Sequence, residues 1–321
     1  VVLAMALAAE LERRDALDRD YINRWTIGFS SYMEQARQYS PADVETICGV
    51  AGNQFEQVVH LYQMANTVAV SVGNGIERGR SGGSGLRAAM ALQVLTGNHG
   101  RLGAGVIAKS GLAAPKTPDR LHRSDLIVDG TRMFNIVDVP EKLLDTTLAP
   151  PVKATMIYNH NPVATHPDQT TMIRALERED LFVVGCDVVM TDSMAFADVI
   201  LPSASHFEFD DIYGAYGQNF VQRAEPVIAC VGDSLPNTEI FRRLAARFGY
   251  DDALFRASDA QLMDEAMDAD DPRFEGVRPS EISLNKAVEM NSADRGDLIM
   301  CDTVVPATPS GKIELFSADL E

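Results

Sequence analysis

The groups best suited to chemistry in this chain stand where apolar runs stop, and they are hydrogen-bonding groups rather than an acid, a base or a nucleophile. One set is Asn159-His160-Asn161-Pro162, directly after the run Ala154-Thr155-Met156-Ile157-Tyr158. A second is Asp187, which ends the run Leu181 to Cys186, followed by the polar loop Met190-Thr191-Asp192-Ser193. A third is Gly73-Asn74-Gly75-Ile76-Glu77-Arg78, continued by Gly79-Arg80-Ser81-Gly82-Gly83, after the valine-rich stretch Thr67 to Val72. Glycine lets a backbone come close to a ligand, a helix N-terminus favours phosphate, and Arg78 and Arg80 can hold anions through bidentate hydrogen bonds. The chemistry on offer is recognition of a polar ligand. The competing reading is that these loops only connect elements.

The elements that must position these groups follow from the apolar pattern. Strand, helix (Gln169 to Glu179) and strand within about 35 residues is the size of a βαβ unit. Its crossover is expected to be right-handed, so the two strands run parallel and their C-terminal ends share one sheet edge. The Asn159 and Asp187 loops then open on one crevice, the place where open α/β sheets bind ligands. Asp198 to Pro202 supplies a third run. Thr67 to Val72 reads as a buried strand and Ser84 to Leu95 as the helix after it, repeating the strand–loop–helix pattern.

Elsewhere Val1 to Leu11 has the spacing of a buried helix. Tyr21 to Gln38 reads as one amphipathic segment, with Trp25 as a core anchor. Ser40-Pro41 has the residue types of a helix start. Asn53 is expected to cap a helix through Gln63 with Phe55, Val58, Val59 and Tyr62 on its inner face. Thr96 to Gly105 shows no regular pattern and reads as a domain junction, with His99 hydrogen-bonding its own loop. Lys109 to Asp125 reads as a long surface loop, and Phe134 to Leu148 holds a short helix. Asp210-Asp211 either binds a cation or is solvated. Asn237 to Phe248 is an amphipathic helix stopped by Gly249, and Ser258 caps another through Met267. Asp268 to Pro279 reads as a loop, and Thr303 to Ser317 as strand, turn and strand ending at Ile313 to Phe316.

The 321 residues suffice for two domains, and 46% apolar with 23% charged residues is a globular composition. The net charge of −18 disfavours nucleic acid and anionic membranes as partners, and no apolar run reaches the ~18 residues of a membrane span. Cys48, Cys186, Cys230 and Cys301 form no Cys-x-x-Cys pair, so no zinc or iron–sulfur site is legible and no metal ligand is assigned. Isolated cysteines of this kind are expected to be buried small side chains in a reducing compartment, the cytoplasm; a periplasmic location stays open. The chain begins Val1-Val2-Leu3 inside a helical pattern, which suggests a piece of a longer protein.

Taken together, the runs resemble the catalytic subunits of the molybdopterin oxidoreductases, the dimethyl-sulfoxide-reductase superfamily. Gly73-Asn74-Gly75-Ile76-Glu77-Arg78 resembles that family's Gly-x-Gly-x-x-(Gln/Arg) loop. Leu95-Thr96-Gly97-Asn98-His99-Gly100-Arg101-Leu102-Gly103 is similar to its Leu-Thr-Gly-Asn-x-Gly-x-x-Gly signature. Tyr158 to Pro162 looks like its Asn-Pro loop. Phe182 to Asp187, with Met190 to Ser193 and Ala197 to Pro202, resembles its most recognisable run. Val1 to Trp25 looks like the helix pair after the family's Gly-Thr-Asp-Ala loop.

The resemblance implies an α/β fold of Rossmann-like parallel sheets flanked by helices, in two lobes, as in domains 1–3 of formate dehydrogenase and dimethyl-sulfoxide reductase. Residues 1–104 would belong to one dinucleotide-binding lobe and 105–321 to the other. It implies a bis(molybdopterin guanine dinucleotide) cofactor carrying molybdenum or tungsten, two-electron redox on a small-molecule substrate, and an electron-transfer subunit or carrier. The implied cofactor-binding residues are Gly73, Asn74, Gly75 and Arg78 in the first lobe, and Asn159, Asn161, Pro162, Asp187, Thr191 and Asp192 in the second. Guanine offers two adjacent donors that one carboxylate accepts, the role expected of Asp187 or Asp192; Asn159 and Asn161 would bond pterin or phosphate. The family's N-terminal 4Fe–4S cysteine motif, its upstream metal-ligating side chain and its C-terminal barrel do not occur in this sequence, so any cluster would belong to a missing N-terminal part and the chain alone would be inactive. Where the formate-oxidising branch carries Arg-Gly-Gln-Asn, this chain has Lys109-Ser110-Gly111-Leu112, which argues against formate. Two rivals remain: an electron-transfer scaffold of the kind found in respiratory complex I, and a nicotinamide dehydrogenase, whose Gly-x-Gly-x-x-Gly motif Gly73, Gly75 and Gly79 miss by one position.

Overall fold

The computed structural model describes residues 1–107, 116–214, 220–290, 299–302 and 304–317. The chain divides into two compact units, Val1–Ser110 with Asn291–Glu321, and Gly111–Met290. Lys109-Ser110-Gly111-Leu112 lies outside the described residues.

The first unit is mainly helical. Helix α1 (Val2–Arg13) is its centre, with Leu7, Ala8 and Leu11 buried. The amphipathic segment Tyr21 to Gln38 divides into α2 (Arg19–Trp25), a short strand β1 (Thr26–Ile27) and α3 (Phe29–Ala36). The break falls at Gly28, whose φ of 79° suits glycine, and where a Cβ would stand 2.9 Å from that of Phe316. Trp25 is only half-buried and stacks under Arg24 at 5.0 Å, while Tyr32 and Met33 occupy the core. Helix α4 (Pro41–Cys48) starts as expected, in a reciprocal cap between Ser40 and Asp43. Helix α5 (Gly52–Met64) begins two residues earlier than expected. Ala51 stands at its cap position, and Asn53 accepts only from its neighbour Gln54. Phe55 and Val59 are its buried face.

The run Thr67 to Val72 forms only a three-residue strand, β2 (Ala69–Ser71), and it is largely exposed rather than buried. A one-turn helix, α6 (Asn74–Glu77), precedes α7 (Gly82–Leu95), which returns to the core against α1. The glycine cluster after α7 is not a patternless junction. Asn98 accepts from the Val68 N–H at 2.8 Å and donates to Thr96 Oγ1 at 2.8 Å, so Asn98 rather than His99 ties the loop. That bracing brings β3 (Gly105–Ile107) alongside β2 in parallel.

In the second unit α8 (Pro118–His122) interrupts the expected loop, and α9 (Val139–Leu144) is the expected short helix. The core is the parallel sheet β4 (Ala154–Tyr158), β5 (Phe182–Asp187) and β6 (Val199–Pro202), in that order. Two helices, α10 (Pro162–Thr165) and α11 (Gln169–Leu176), make the first crossover. Ile157 and Val183 face a buried layer with Met172, Ala175 and Leu176 of α11 and Leu143 of α9. A second, antiparallel sheet contains β7 (Asp211–Tyr213), β8 (Phe220–Ala224) and later β9 (Val288–Glu289). Helices α12 (Asn237–Phe248), stopped by Gly249, and α13 (Asp259–Ala266), capped by Ser258, stand as expected. Asp268 to Pro279 is more than a loop, because Phe274 anchors it in the core at 1% exposure.

Finally β10 (Ile313–Glu314) pairs in parallel with β1. Both β3 and β10 fall within the range 105–321 expected for the second lobe, yet both pair with strands of the first unit. Of the cysteines, Cys186 and Cys301 are buried, whereas Cys48 is exposed.

Candidate functional site

The tip of β4 sets the geometry of the second unit's site. Asn159 has φ 54°, a left-handed conformation that asparagine tolerates better than most residues. The chain thereby turns off the sheet in one step. Asn161 holds the cap position of α10 and Pro162 its first position, where no N–H is missed. Asn161 does not cap its own helix. Its Oδ1 accepts from Ser193 Oγ at 2.6 Å and Ser193 N at 3.3 Å, and Ser193 Oγ accepts from Val163 N at 3.0 Å. The loop after β4 and the loop after β5 are therefore tied together.

On the neighbouring strand Asp187 is half-buried and accepts from Val188 N at 2.7 Å through Oδ1. Thr191 Oγ1 accepts from Met194 N at 3.4 Å, and Asp192 is exposed with no partner among the described residues. The loop carrying them is seated on β5 by Met194, because Gly185 leaves room for it: a Cβ there would lie 2.3 Å from the Met194 sulfur. Asn159, Asn161, Pro162, Asp187, Thr191 and Asp192 thus share the C-terminal edge of one parallel sheet.

A cavity of about 1060 Å³ opens beside Tyr158 and Asn159, with Asp211, Asn237, Phe241 and Arg123 among its walls. The Tyr158 and Phe241 rings meet edge-to-face at 4.9 Å. Asp210 is taken up by Arg223, which donates to both of its oxygens at 3.0 and 2.7 Å. Burial pushes the Asp211 carboxyl up, and the charges of Asp210 and Asp259 add to that. His160 and His166 stand with ring centres 5.8 Å apart. His160 Nε2 and His166 Nδ1 are both shielded and have no hydrogen-bond partner among the described residues. Burial, then the neighbouring His160, holds the His166 imidazole below its ordinary value.

In the first unit the predicted loop follows β2. Nothing lies within 4 Å of where a Cβ would stand on Gly73 or Gly75. Asn74 Oδ1 is shielded with no partner among the described residues, and Arg78 is exposed at the end of α6. Gly82 and Gly85 have a different cause. A Cβ on Gly82 would stand 2.1 Å from the Glu77 carbonyl oxygen and one on Gly85 3.2 Å from Ile76 Cγ1, so these two let α6 close on α7. The first pair leaves open backbone and one orphaned acceptor, and the second unit offers a carboxylate edge beside a cavity. Each unit by itself thus presents hydrogen-bonding groups of the kind that hold a polar, nucleotide-bearing group.

In the sequence Ser193 stands in the polar loop without a role of its own, and His166 carries none. The signal for Ser193 was its place within the loop already singled out. Nothing local signals the cavity, whose walls come from segments far apart in sequence.

A sequence profile of the family described as molybdopterin oxidoreductase matches residues 8–247. The probable oxidoreductase YoaE of Bacillus subtilis is 32% identical over 99% of this chain and 46% of its own length. Formate dehydrogenase H of Escherichia coli is 26% identical over 78% of this chain and 38% of its own. Among solved structures, acetylene hydratase from Pelobacter acetylenicus superposes with a TM-score of 0.72 at 18% identity, covering 99% of this chain and 48% of that one. The chain spans less than half the length of these relatives.

Proposed function

The chain belongs to the molybdopterin oxidoreductase family, and from that premise we propose that its two units form part of the cradle of a bis(molybdopterin guanine dinucleotide) cofactor. The whole protein is an oxidoreductase whose bound cofactor supplies two-electron redox at molybdenum or tungsten. The residues of this chain bind and orient that cofactor, and no acid, base or nucleophile is assigned among them. In the first unit the open backbone at Gly73 and Gly75 and the Asn74 acceptor take one arm, with Arg78 at its anionic part. In the second, Asp187 or Asp192 accepts from guanine and Asn159 bonds the pterin or phosphate. Asn161 acts at this edge through Ser193. The protein works on a small-molecule substrate and passes electrons to a partner subunit or carrier in the cytoplasm; an iron–sulfur cluster belongs to the part of the parent beyond this chain.

The observation that carries this reading is the shared edge of β4 and β5, where two tied polar loops stand beside a cavity of about 1060 Å³. The test is the full-length parent, purified and measured for molybdenum, tungsten and iron by mass spectrometry, with guanine nucleotide released by acid. About one molybdenum or tungsten and about two GMP per chain are expected. Iron with neither metal nor nucleotide overturns the reading and leaves an electron-transfer scaffold.

A further inference from the structure

We propose that Ser193 is a positioning residue that holds the two cofactor-facing loops of the second unit as one edge. This rests on the cofactor reading above. The loops follow neighbouring strands, but the ladder between β4 and β5 stops at the pair Tyr158 and Cys186. Beyond those residues the sheet no longer fixes either loop relative to its neighbour.

Ser193 replaces the missing ladder. It has no solvent exposure, and its hydroxyl is used twice. It donates to Asn161 Oδ1 at 2.6 Å and accepts from Val163 N at 3.0 Å. The second bond is the one an N-cap side chain ordinarily makes to its own helix. Asn161 occupies the cap position and makes no such bond. Ser193 therefore caps α10 from the neighbouring loop, and Asn161 is left to hold Ser193.

Each member of the pair lies within two residues of a group assigned to the cofactor, Asn159 on one side and Thr191 and Asp192 on the other. The α10 end is fixed as well, since Gln169 Nε2 donates to the Val163 carbonyl at 2.8 Å. Without the Ser193 hydroxyl, Val163 N–H loses its partner and Asn161 Oδ1 keeps only the longer bond from Ser193 N at 3.3 Å, so the two shortest ties between the loops are gone.

The test uses the full-length parent carrying Ser193→Ala, Ser193→Thr or, as a control, Ser280→Ala. Ser280 donates to Asp264 Oδ2 at 3.0 Å in the same unit, so its loss removes a comparable hydroxyl elsewhere. The readouts are acid-released GMP per chain, the rate at which bound GMP is lost on dilution, and the melting temperature of the cofactor-free protein. Ser193→Ala is expected to lose nucleotide roughly tenfold faster than wild type. Ser193→Thr restores retention, and Ser280→Ala lowers the melting temperature while leaving retention unchanged. If Ser193→Ala does not accumulate as folded protein, Asn161→Ala removes the bonds to Asn161 Oδ1, leaves the Val163 N bond to Ser193 Oγ, and is read in the same way. Wild-type retention in a folded Ser193→Ala or Asn161→Ala protein overturns this inference alone. A wild-type parent without guanine nucleotide overturns the cofactor reading and this inference with it.

Discussion

Replacing Gly82 by alanine tests the contact that shapes the first unit's loop. A Cβ at this position would stand 2.1 Å from the Glu77 carbonyl oxygen, 2.6 Å from its carbon and 2.7 Å from the Ile76 carbonyl oxygen. These are backbone atoms, so no side-chain rotation relieves the overlap. The α6 turn must retreat by about 1 Å, and overpacking of this kind costs about 1–3 kcal/mol. Alanine also gains roughly 0.5–1 kcal/mol over glycine inside a helix, leaving a net loss of about 1–2 kcal/mol. For a unit of this size that lowers the melting temperature by roughly 3–8 °C. Gly83, the next residue of α7, is the internal control. Nothing lies within 4 Å of its Cβ position, so Gly83→Ala keeps only the helix gain and melts at or above wild type. The assay is thermal unfolding of the full chain followed by far-ultraviolet circular dichroism. Equal melting temperatures for the two variants would refute the reasoning, because they would mean that α6 does not lie against α7 as described.

Two further outcomes follow from the same kind of argument. Hydrogen bonds from Ser205, through its side chain and then its N–H, and from Val231 N–H hold the Glu208 carboxyl well below its ordinary 4.5, at about 2. Between those values the unfolded chain binds more protons than the folded one, so stability is full above about 4.5 and falls as pH drops towards 2. Urea midpoints across that window should slope for wild type and flatten for Glu208→Gln, and parallel slopes would contradict the assignment. Ser40→Ala removes one half of the reciprocal cap on α4 and should cost about 1 kcal/mol in urea unfolding; no change would mean that the cap contributes nothing in solution.

The sequence by itself determined the elements whose causes are local. β4, the crossover helix α11, β5 and β6 were legible because alternating and helical apolar periods are broken by Asn159, Asp187 and Pro202, within a span that permits one crossover. The caps at Ser40 and Ser258 were legible for the same reason, each being settled within four residues. The family's loops were legible because their glycines, asparagines and aspartates keep a fixed order. Tertiary structure alone decided whatever depends on a distant partner. Tyr21 to Gln38 carries a continuous helical pattern, yet Thr26 and Ile27 leave it to pair with Ile313 and Glu314. Thr67 to Val72 has buried-strand composition, but only three residues pair with β3 and they stay largely exposed. The glycines from 73 to 85 look alike in sequence, and only packing separates the open pair, Gly73 and Gly75, from Gly82 and Gly85, which α6 needs in order to close on α7. Asn161 carried a ligand's residue type, and its acceptor went to Ser193 because the folding of two crossovers onto one edge placed that hydroxyl 2.6 Å away.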